Sequence, residues 1–254
     1  MKTQTPLKNN NIFIRYPHLL KDANEIYIRN CIGAFEFFDK WYNSKKIEYK
    51  EYKSMLKNMR KIIALGKNDN GPYRKIDSRL YKKWFKNKPF DFRKDNVRVR
   101  STRLKKQKLA EYFGSSKSDR FIKIHKIPKQ GWPHSKKNGF HIYPRSVYLE
   151  LYLKECHKHL IDLKKEIEDN SSHPIKKIAS YYFYAINARP FSYINNSLFM
   201  IQVNYMLIKL GYDGTYHYDL DHLAHRMQLK KFQEIFKKII FEDKEYIEKY
   251  KEFI

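Results

Sequence analysis

The stretch that decides the fold is Leu198–Leu210, which reads L-F-M-I-Q-V-N-Y-M-L-I-K-L. Within it only Gln202, Asn204 and Lys209 are polar. A helix that is apolar on every side is normally buried on every side, and this stretch is too short and too interrupted to cross a membrane. The sequence therefore predicts that residues 198–210 form a buried helix at the centre of the fold.

The residues on both sides of this stretch delimit the helix. Gly211 follows the last apolar residue, where many helices end on a left-handed residue. Asn195, Asn196 and Ser197 precede the stretch, and side chains of these types cap helix N-termini. The run R-P-F at 189–191 predicts a tight turn just upstream.

The segment Ser172–Tyr212 resembles the Fic (filamentation induced by cAMP) family of the Fic/Doc superfamily. The family motif H-P-F-x-D/E-G-N-G-R aligns without a gap with R-P-F-S-Y-I-N-N-S at 189–197. The pattern N-Y-x-x-x-x-L-G-Y, which ends the family's central helix, aligns with residues 204–212, and Pro174, Ile178 and Ala179 match the preceding helix. The resemblance implies a mainly α fold, a Fic-like helical bundle around the buried helix 198–210, with a small β-hairpin flap.

The chain departs from the family motif at the positions that carry its chemistry. In an active Fic enzyme the motif His accepts a proton from the target hydroxyl, but Arg189 stands here, and a guanidinium is not a base near neutral pH. Tyr193 replaces the acidic residue that holds Mg²⁺, so Mg²⁺ is not expected at Tyr193. Two glycines that let the backbone approach phosphates and two phosphate-binding arginines are replaced by Ile194, Asn196, Ser197 and Met200.

These comparisons define the predicted site. No catalytic residue is predicted, although Arg189 occupies the motif His position. The candidate ligand-binding residues are Arg189, Asn195, Asn196 and Ser197. The residues expected to maintain the structure of the motif are Pro190, Phe191, Asn204, Tyr205 and Gly211. We expect Phe191 to point inward and Arg189 to point the other way, near the N-terminus of the buried helix, as an anion-binding cation.

Three functions remain open. The first is a pseudoenzyme, a bacterial or effector-type Fic-like protein that has lost AMP transfer and binds a partner. The second is a Fic-fold enzyme that transfers another group, from a non-AMP nucleotide, a phosphate donor or a nucleotide sugar, to a protein hydroxyl. The third is a basic nucleic-acid-binding protein whose resemblance to Fic proteins is accidental.

A β-hairpin is predicted at about 121–143. Residues 121–127 alternate between apolar and polar, with Ile122, Ile124 and His125 as candidate flap residues, and residues 140–143 form a second short strand. The resemblance implies that this hairpin is the flap that clamps a target protein by strand pairing. The alternative is an ordinary surface hairpin.

The formal charge of +26 over 254 residues is far above the magnitude of roughly 2–8 typical of a small domain. Such a charge attracts acidic proteins, nucleic acid or anionic membrane surfaces. The alternative is a Lys-rich composition inherited from an AT-rich genome. The basic segment 86–108 is either a phosphate-contacting patch or a solvated face, and no helix-turn-helix, zinc-finger or RNA-binding consensus accompanies it.

The domain prediction is a helical N-terminal extension (1–85), a Fic-like core (86–240) and a C-terminal helix (241–254), forming one compact unit. Cys31 and Cys156 have no metal-ligand spacing and indicate a reducing compartment. We expect no signal peptide and no transmembrane segment, and therefore a cytoplasmic protein or one secreted into a reducing host cytosol.

One further cluster could bind a divalent metal. His217, Asp219, Asp221, His222 and His225 lie within nine residues. Histidine and carboxylate side chains are zinc ligands, but no established metal motif has this spacing. We therefore predict helix-capping aspartates and surface histidines here, and no metal site.

Overall fold

The computed structural model describes residues 25–44, 47–66, 91–94, 98–100, 134–135, 140–142, 146–169, 174–192, 194–212, 214–215, 220–226 and 229–241. The helices are α1 (Glu25–Tyr42), α2 (Tyr49–Leu65), α3 (Leu149–Glu168), α4 (Pro174–Ala188), α5 (Asn195–Lys209), α6 (Leu220–Arg226) and α7 (Leu229–Phe241). The strands are β1 (Arg98–Arg100), β2 (His134–Ser135) and β3 (Phe140–Ile142). The predicted mainly α character is confirmed for this part of the chain.

The chain divides into two compact units, each made of two separate segments. The first unit comprises Met1–Phe92 and Tyr193–His217, and the second comprises Arg93–Ser192 and Tyr218–Ile254. The motif helix α5 therefore belongs with α1 and α2, while α3, α4, α6 and α7 belong together. The division that the sequence suggests at residues 85 and 240 stays a prediction.

In the first unit, α1 and α2 pack against each other and against α5. Every residue of α5 from Leu198 to Leu207 is buried, which confirms the predicted buried helix. Its polar Gln202 is fully buried and directs its amide at the sulfur atoms of Met59 (3.5 Å) and Met55 (4.0 Å) on α2. The all-round apolar pattern is thus explained by helices that cover α5 on more than one side.

The two ends of α5 differ in how well the sequence predicts them. Gly211 has φ 87°, and the amides of Gly211 and Tyr212 donate to the carbonyls of Ile208 and Leu207 (both 3.0 Å). These two bonds form a Schellman motif, and the predicted left-handed cap is confirmed. The prediction of an N-cap at residues 195–197 is wrong, because the helix already begins at Asn195 and its N-cap is Ile194, without a side-chain cap.

In the second unit, α4 packs against α3, α6 and α7. All its residues from Ile178 to Ala188 are buried. Asn187 satisfies its buried amide by donating to the carbonyls of Phe183 (2.7 Å) and Ala224 (3.1 Å). The sequence predicts one central helix, but each unit has a buried helix of its own.

Apolar residues recur at helical spacing in α1 and α3, which predicts that Ile26 and Leu151 are buried, but both are exposed. Ile26 is 37% exposed at the start of α1, and Leu151 is 46% exposed at the start of α3. Both lie in the first turn of their helix. In α3 the neighbouring Leu149 and Tyr152 are buried instead, so a periodic pattern alone does not show which apolar residues of a first turn face the core.

The strands form a three-stranded antiparallel sheet with β3 between β1 and β2. Arg98 pairs with Ile142, and His134 pairs with His141. The short strand predicted at 140–143 corresponds to β3, and among the described residues the partners of β3 are β1 and β2. The first predicted flap strand, with Ile122, Ile124 and His125, lies outside the described residues.

Among the residues that the structure describes, no helix combines the length and the apolar character needed to cross a membrane. The terminal helix predicted at 241–254 lies outside the described residues after Phe241.

Candidate functional site

The candidate site is the turn that connects α4 to α5. Arg189 (φ 43°) and Ile194 (φ 69°) lie in the left-handed region, at the two ends of this turn. This backbone conformation is unfavourable for residues other than glycine, and for a β-branched residue it is a clear outlier. Ile194 occupies the position of the first motif glycine, so the backbone has the conformation that a glycine would adopt there without strain.

Arg93 holds the α4 end of the turn. Its side chain is 5% exposed. Its amide donates to the carbonyl of Pro190 (2.9 Å), its Nε to the carbonyl of Arg189 (2.8 Å), and its Nη2 to the carbonyl of Ala188 (3.4 Å). The last carbonyls of a helix lack hydrogen-bond donors within the helix, and Arg93 donates hydrogen bonds to carbonyls at this end of α4. It also places its positive charge at the negative end of the helix dipole.

The first three motif positions combine a packed core with a half-buried cation. Phe191 is fully buried, as predicted, and Pro190 is buried beside it. Arg189 is half-buried, and its Nη2 donates to the carbonyl of Ser192 (3.2 Å). The Arg189 guanidinium therefore contacts the backbone of its own turn. The expectation that it lies near the N-terminus of α5 stays a prediction.

The positions of the motif arginines are engaged in packing within the first unit. Ser197 is half-buried, and its Oγ accepts a hydrogen bond from the hydroxyl of Tyr27 on α1 (2.9 Å). Met200 is 3% exposed, and Asn195 is also buried, whereas Asn196 is half-buried. Of the four predicted ligand-binding residues, Asn195, Asn196 and Ser197 therefore share the first turn of α5, and one of them already contacts α1.

Asn204 joins α5 to the chain that follows it. Its Nδ2 donates to the carbonyl of Thr215 (3.0 Å), and its Oδ1 accepts from the amide of Thr215 (2.8 Å). Both residues are buried. The two hydrogen bonds satisfy the buried amide and carbonyl of Thr215, which would lower the stability of the fold if they were left without partners. Asn204 therefore has a structural role.

Tyr205 lies in an aromatic cluster with α1. Its ring packs edge-on against Phe38 (centroids 5.1 Å apart), and its hydroxyl accepts a hydrogen bond from Asn43 Nδ2 (3.3 Å). Burial, and then the hydrogen bond to Asp39, raises the pKa of the Tyr205 phenol well above its ordinary value of 10.0. The phenol stays protonated at neutral pH and cannot serve as a base there.

The turn has no group suited to general-base catalysis. The segment 189–197 contains no carboxylate, imidazole, thiol or amine, and its hydroxyl and amide side chains are not bases near pH 7. Tyr193 lies outside the described residues. In the part of the turn that belongs to the second unit, the side chain that carries a charge is Arg189, and a guanidinium suits contact with an anion rather than proton transfer.

No group of three or more His, Cys, Asp or Glu side chains within the described parts of the chain is placed to hold a metal ion. From the cluster at 217–225, the structure places the side chain of Asp221, which is buried in α6. The two free cysteines are buried, and burial raises the pKa of the Cys31 thiol from 9.0 to about 12. Such a thiol is a weak nucleophile at neutral pH.

Two residues of this site are not predicted by the sequence. Arg93 belongs to the basic segment 86–108, and no pattern in its neighbourhood distinguishes a buried arginine from an exposed one. Tyr27 lies in the first turn of α1 and has no motif around it. Both are found only when distant segments meet in the fold.

Compared with models of protein families, the sequence matches none of them, and it matches no curated protein. The likeness to Fic proteins therefore stays an expectation from the residues at 172–212.

Proposed function

We propose that this protein is a Fic-like pseudoenzyme that has lost AMP transfer and acts by binding a partner. One observation carries the proposal: the two positions of α5 that hold phosphate-binding arginines in the family are used for packing. Ser197 accepts its hydrogen bond from Tyr27, and Met200 is 3% exposed. Neither side chain offers a positive charge to a triphosphate.

The substitutions in the turn support the same conclusion independently. AMP transfer needs a base for the target hydroxyl and a carboxylate for the metal that neutralises the nucleotide. The segment 189–197 supplies neither. A charge of +26 over the whole chain favours association with a negatively charged partner, and the predicted flap at 121–143 is the candidate surface for a protein target.

The test of lost activity uses labelled ATP with Mg²⁺ and the purified full chain, alone and with cell lysate. We expect no incorporation of AMP above background, and none with Arg189→His, because restoring a base restores neither the glycines nor the arginines. Strong labelling that disappears with Arg189→Ala, but persists with the exposed-residue control Arg29→Ala, would overturn the proposal. Arg29 is a suitable control because its side chain is 66% exposed.

The test of partner binding uses the flap. A partner captured from a lysate by the wild-type chain should be lost with Ile124→Asp, which interrupts the alternating pattern of the predicted strand. It should be retained with Lys123→Asp, which changes the adjacent polar position on the opposite face of that strand. Equal capture by both variants would refute the flap as the partner-binding surface.

A second candidate function is transfer of a group other than AMP. The observation that favours it is the pair of left-handed residues at the ends of the turn, because strain of this kind concentrates at functional sites. In that case Arg189 binds the anionic part of a nucleotide or nucleotide sugar. Calorimetric titration with a panel of nucleotides and nucleotide sugars separates the two functions. Saturable binding that is lost with Arg189→Ala and kept with Arg29→Ala supports transfer. The absence of saturable binding supports the pseudoenzyme.

A further inference from the structure

The second unit has an uneven distribution of charge on its helices. Five acidic and four lysine residues lie on α3, whereas α4 and α7 together contain six lysines and a single glutamate. The lysines of α4 and α7 are Lys176, Lys177, Lys230, Lys231, Lys237 and Lys238. Because α4 and α7 pack directly against each other, these charges lie on one pair of neighbouring helices, which we call the α4–α7 ridge.

Gln233 shows which lysines come together. Its Nε2 donates to Ser180 Oγ (2.8 Å) and to the carbonyl of Lys176 (3.4 Å) on α4. Lys230 and Lys237 are three residues before and four residues after Gln233, so they share its side of α7. Lys176, Lys230 and Lys237 are all exposed. Three lysines therefore surround the point where Gln233 meets α4.

From this arrangement we propose that the α4–α7 ridge binds the phosphate backbone of a nucleic-acid duplex, without reading its sequence. Lys230 and Lys237 are seven residues apart, which is about 10.5 Å along a helix. One strand of a duplex places a phosphate every ~3.4 Å along the axis, so the two lysines span about three base-pair steps. This site is separate from the turn and does not rest on the proposed loss of AMP transfer.

Two observations favour a duplex over other anionic surfaces. Phe232, Ile235 and Phe236 of α7 are at most 1% exposed, so this apolar side of α7 packs inward and is not available to insert into a membrane surface. The aromatic rings of α4 and α7 whose side chains are described are also buried. They offer no surface for stacking unpaired bases, which single-strand binders use.

The test measures binding of a fluorescently labelled 20-base-pair DNA duplex to the full chain by anisotropy, over a range of salt concentrations. The test variant is Lys176→Gln/Lys230→Gln/Lys237→Gln. The matched control is Lys154→Gln/Lys158→Gln/Lys165→Gln, which removes the same charge from exposed positions of α3. Neither change removes a buried side chain, and thermal unfolding confirms that both variants are folded.

Neutralising a phosphate contributes about 0.9 to the slope of log K against log salt. Because the ridge variant lacks three phosphate-binding cations, we expect its slope to fall by up to ~3 and its affinity at 0.1 M salt to fall about 10- to 500-fold. The α3 control should bind within about threefold of the wild type. Equal reductions of affinity in both triple variants, or no reduction in the ridge variant, would overturn the proposal.

Two more arms identify the occupant. A single strand of the same sequence should bind more weakly than the duplex, and tighter binding of the single strand through the ridge would overturn the assignment to a duplex. Poly-L-glutamate and phosphatidylserine vesicles should compete poorly at equal charge. If either of them binds as tightly as the duplex, and depends on the same three lysines, the partner is an acidic polypeptide or a membrane and the proposal is wrong.

Discussion

Replacing Arg93 with Met should destabilise the second unit by about 2–4 kcal/mol. The side chain is 5% exposed and donates from Nε and Nη2 to two carbonyls at the end of α4. Hydrogen bonds from charged groups contribute roughly 1.5–3 kcal/mol each, and the bond at 3.4 Å lies near the weak limit. Methionine retains most of the aliphatic volume, so the loss of stability reports the hydrogen bonds rather than a cavity.

Denaturant unfolding and amide hydrogen exchange measure this effect. A slope of about 2 kcal/mol per M of urea converts the loss of stability into a midpoint shift of about 1–2 M. A loss of about 3 kcal/mol corresponds to amide exchange in the last turn of α4 that is roughly 100-fold faster. Lys94→Met is the matched control, because Lys94 is the exposed neighbour with the same charge. Arg93→Lys should restore little, since an ammonium lacks the planar fork that reaches two carbonyls. If Arg93→Met and Lys94→Met agree within about 0.5 kcal/mol, the account of Arg93 is wrong.

Three further outcomes are expected. Asn204→Ala should lower the free energy of unfolding by about 2–3 kcal/mol, because the buried amide and carbonyl of Thr215 both lose their partner; a change below about 0.5 kcal/mol in a urea titration would contradict this. Gly211→Ala should cost about 1 kcal/mol through backbone strain alone, because φ is 87° and an added Cβ would have nothing within 4 Å; a much larger effect in thermal unfolding would indicate a clash instead. Burial raises the pKa of Cys31 from 9.0 to about 12, so its contribution to stability is present in full below pH ~9 and lost as the pH rises towards ~12; Cys31→Ala should reduce the alkaline slope of unfolding free energy against pH, and an unchanged slope would argue against it.

The sequence predicts α5 well because its pattern has one interpretation. Residues that are apolar on every side are buried on every side, and a glycine after the last of them fits a left-handed cap. The start of α5 is different. An N-cap is expected from the side chains of Asn195, Asn196 and Ser197, but the helix begins earlier, after the left-handed residue Ile194. An isoleucine gives no sequence signal for a left-handed backbone.

The burial of α4 on more than one side could not be predicted for a related reason. The helical spacing of Ile178 and Tyr182 predicts one buried face. Tyr181 and Tyr184 are buried as well, although tyrosine is intermediate between surface and core in ordinary usage. Arg93 is the opposite case, a permanently charged side chain that the fold buries because carbonyls at the end of a distant helix accept its hydrogen bonds. Whether such a residue is buried depends on partners far away in the chain, and local patterns contain no information about them.

The separation of α5 from α1 and α2 along the chain has a consequence for synthesis on the ribosome. About 130 residues separate the end of α2 at Leu65 from the start of α5 at Asn195. The ribosome adds roughly 5–20 residues per second, so α5 is synthesised about 7–26 s after α2 is complete. During that interval the side chains that pack around α5, Phe38 and Met59 among them, are exposed on the nascent chain. A chain truncated just before residue 195 should therefore depend on chaperones to stay soluble, even though α1 and α2 are complete.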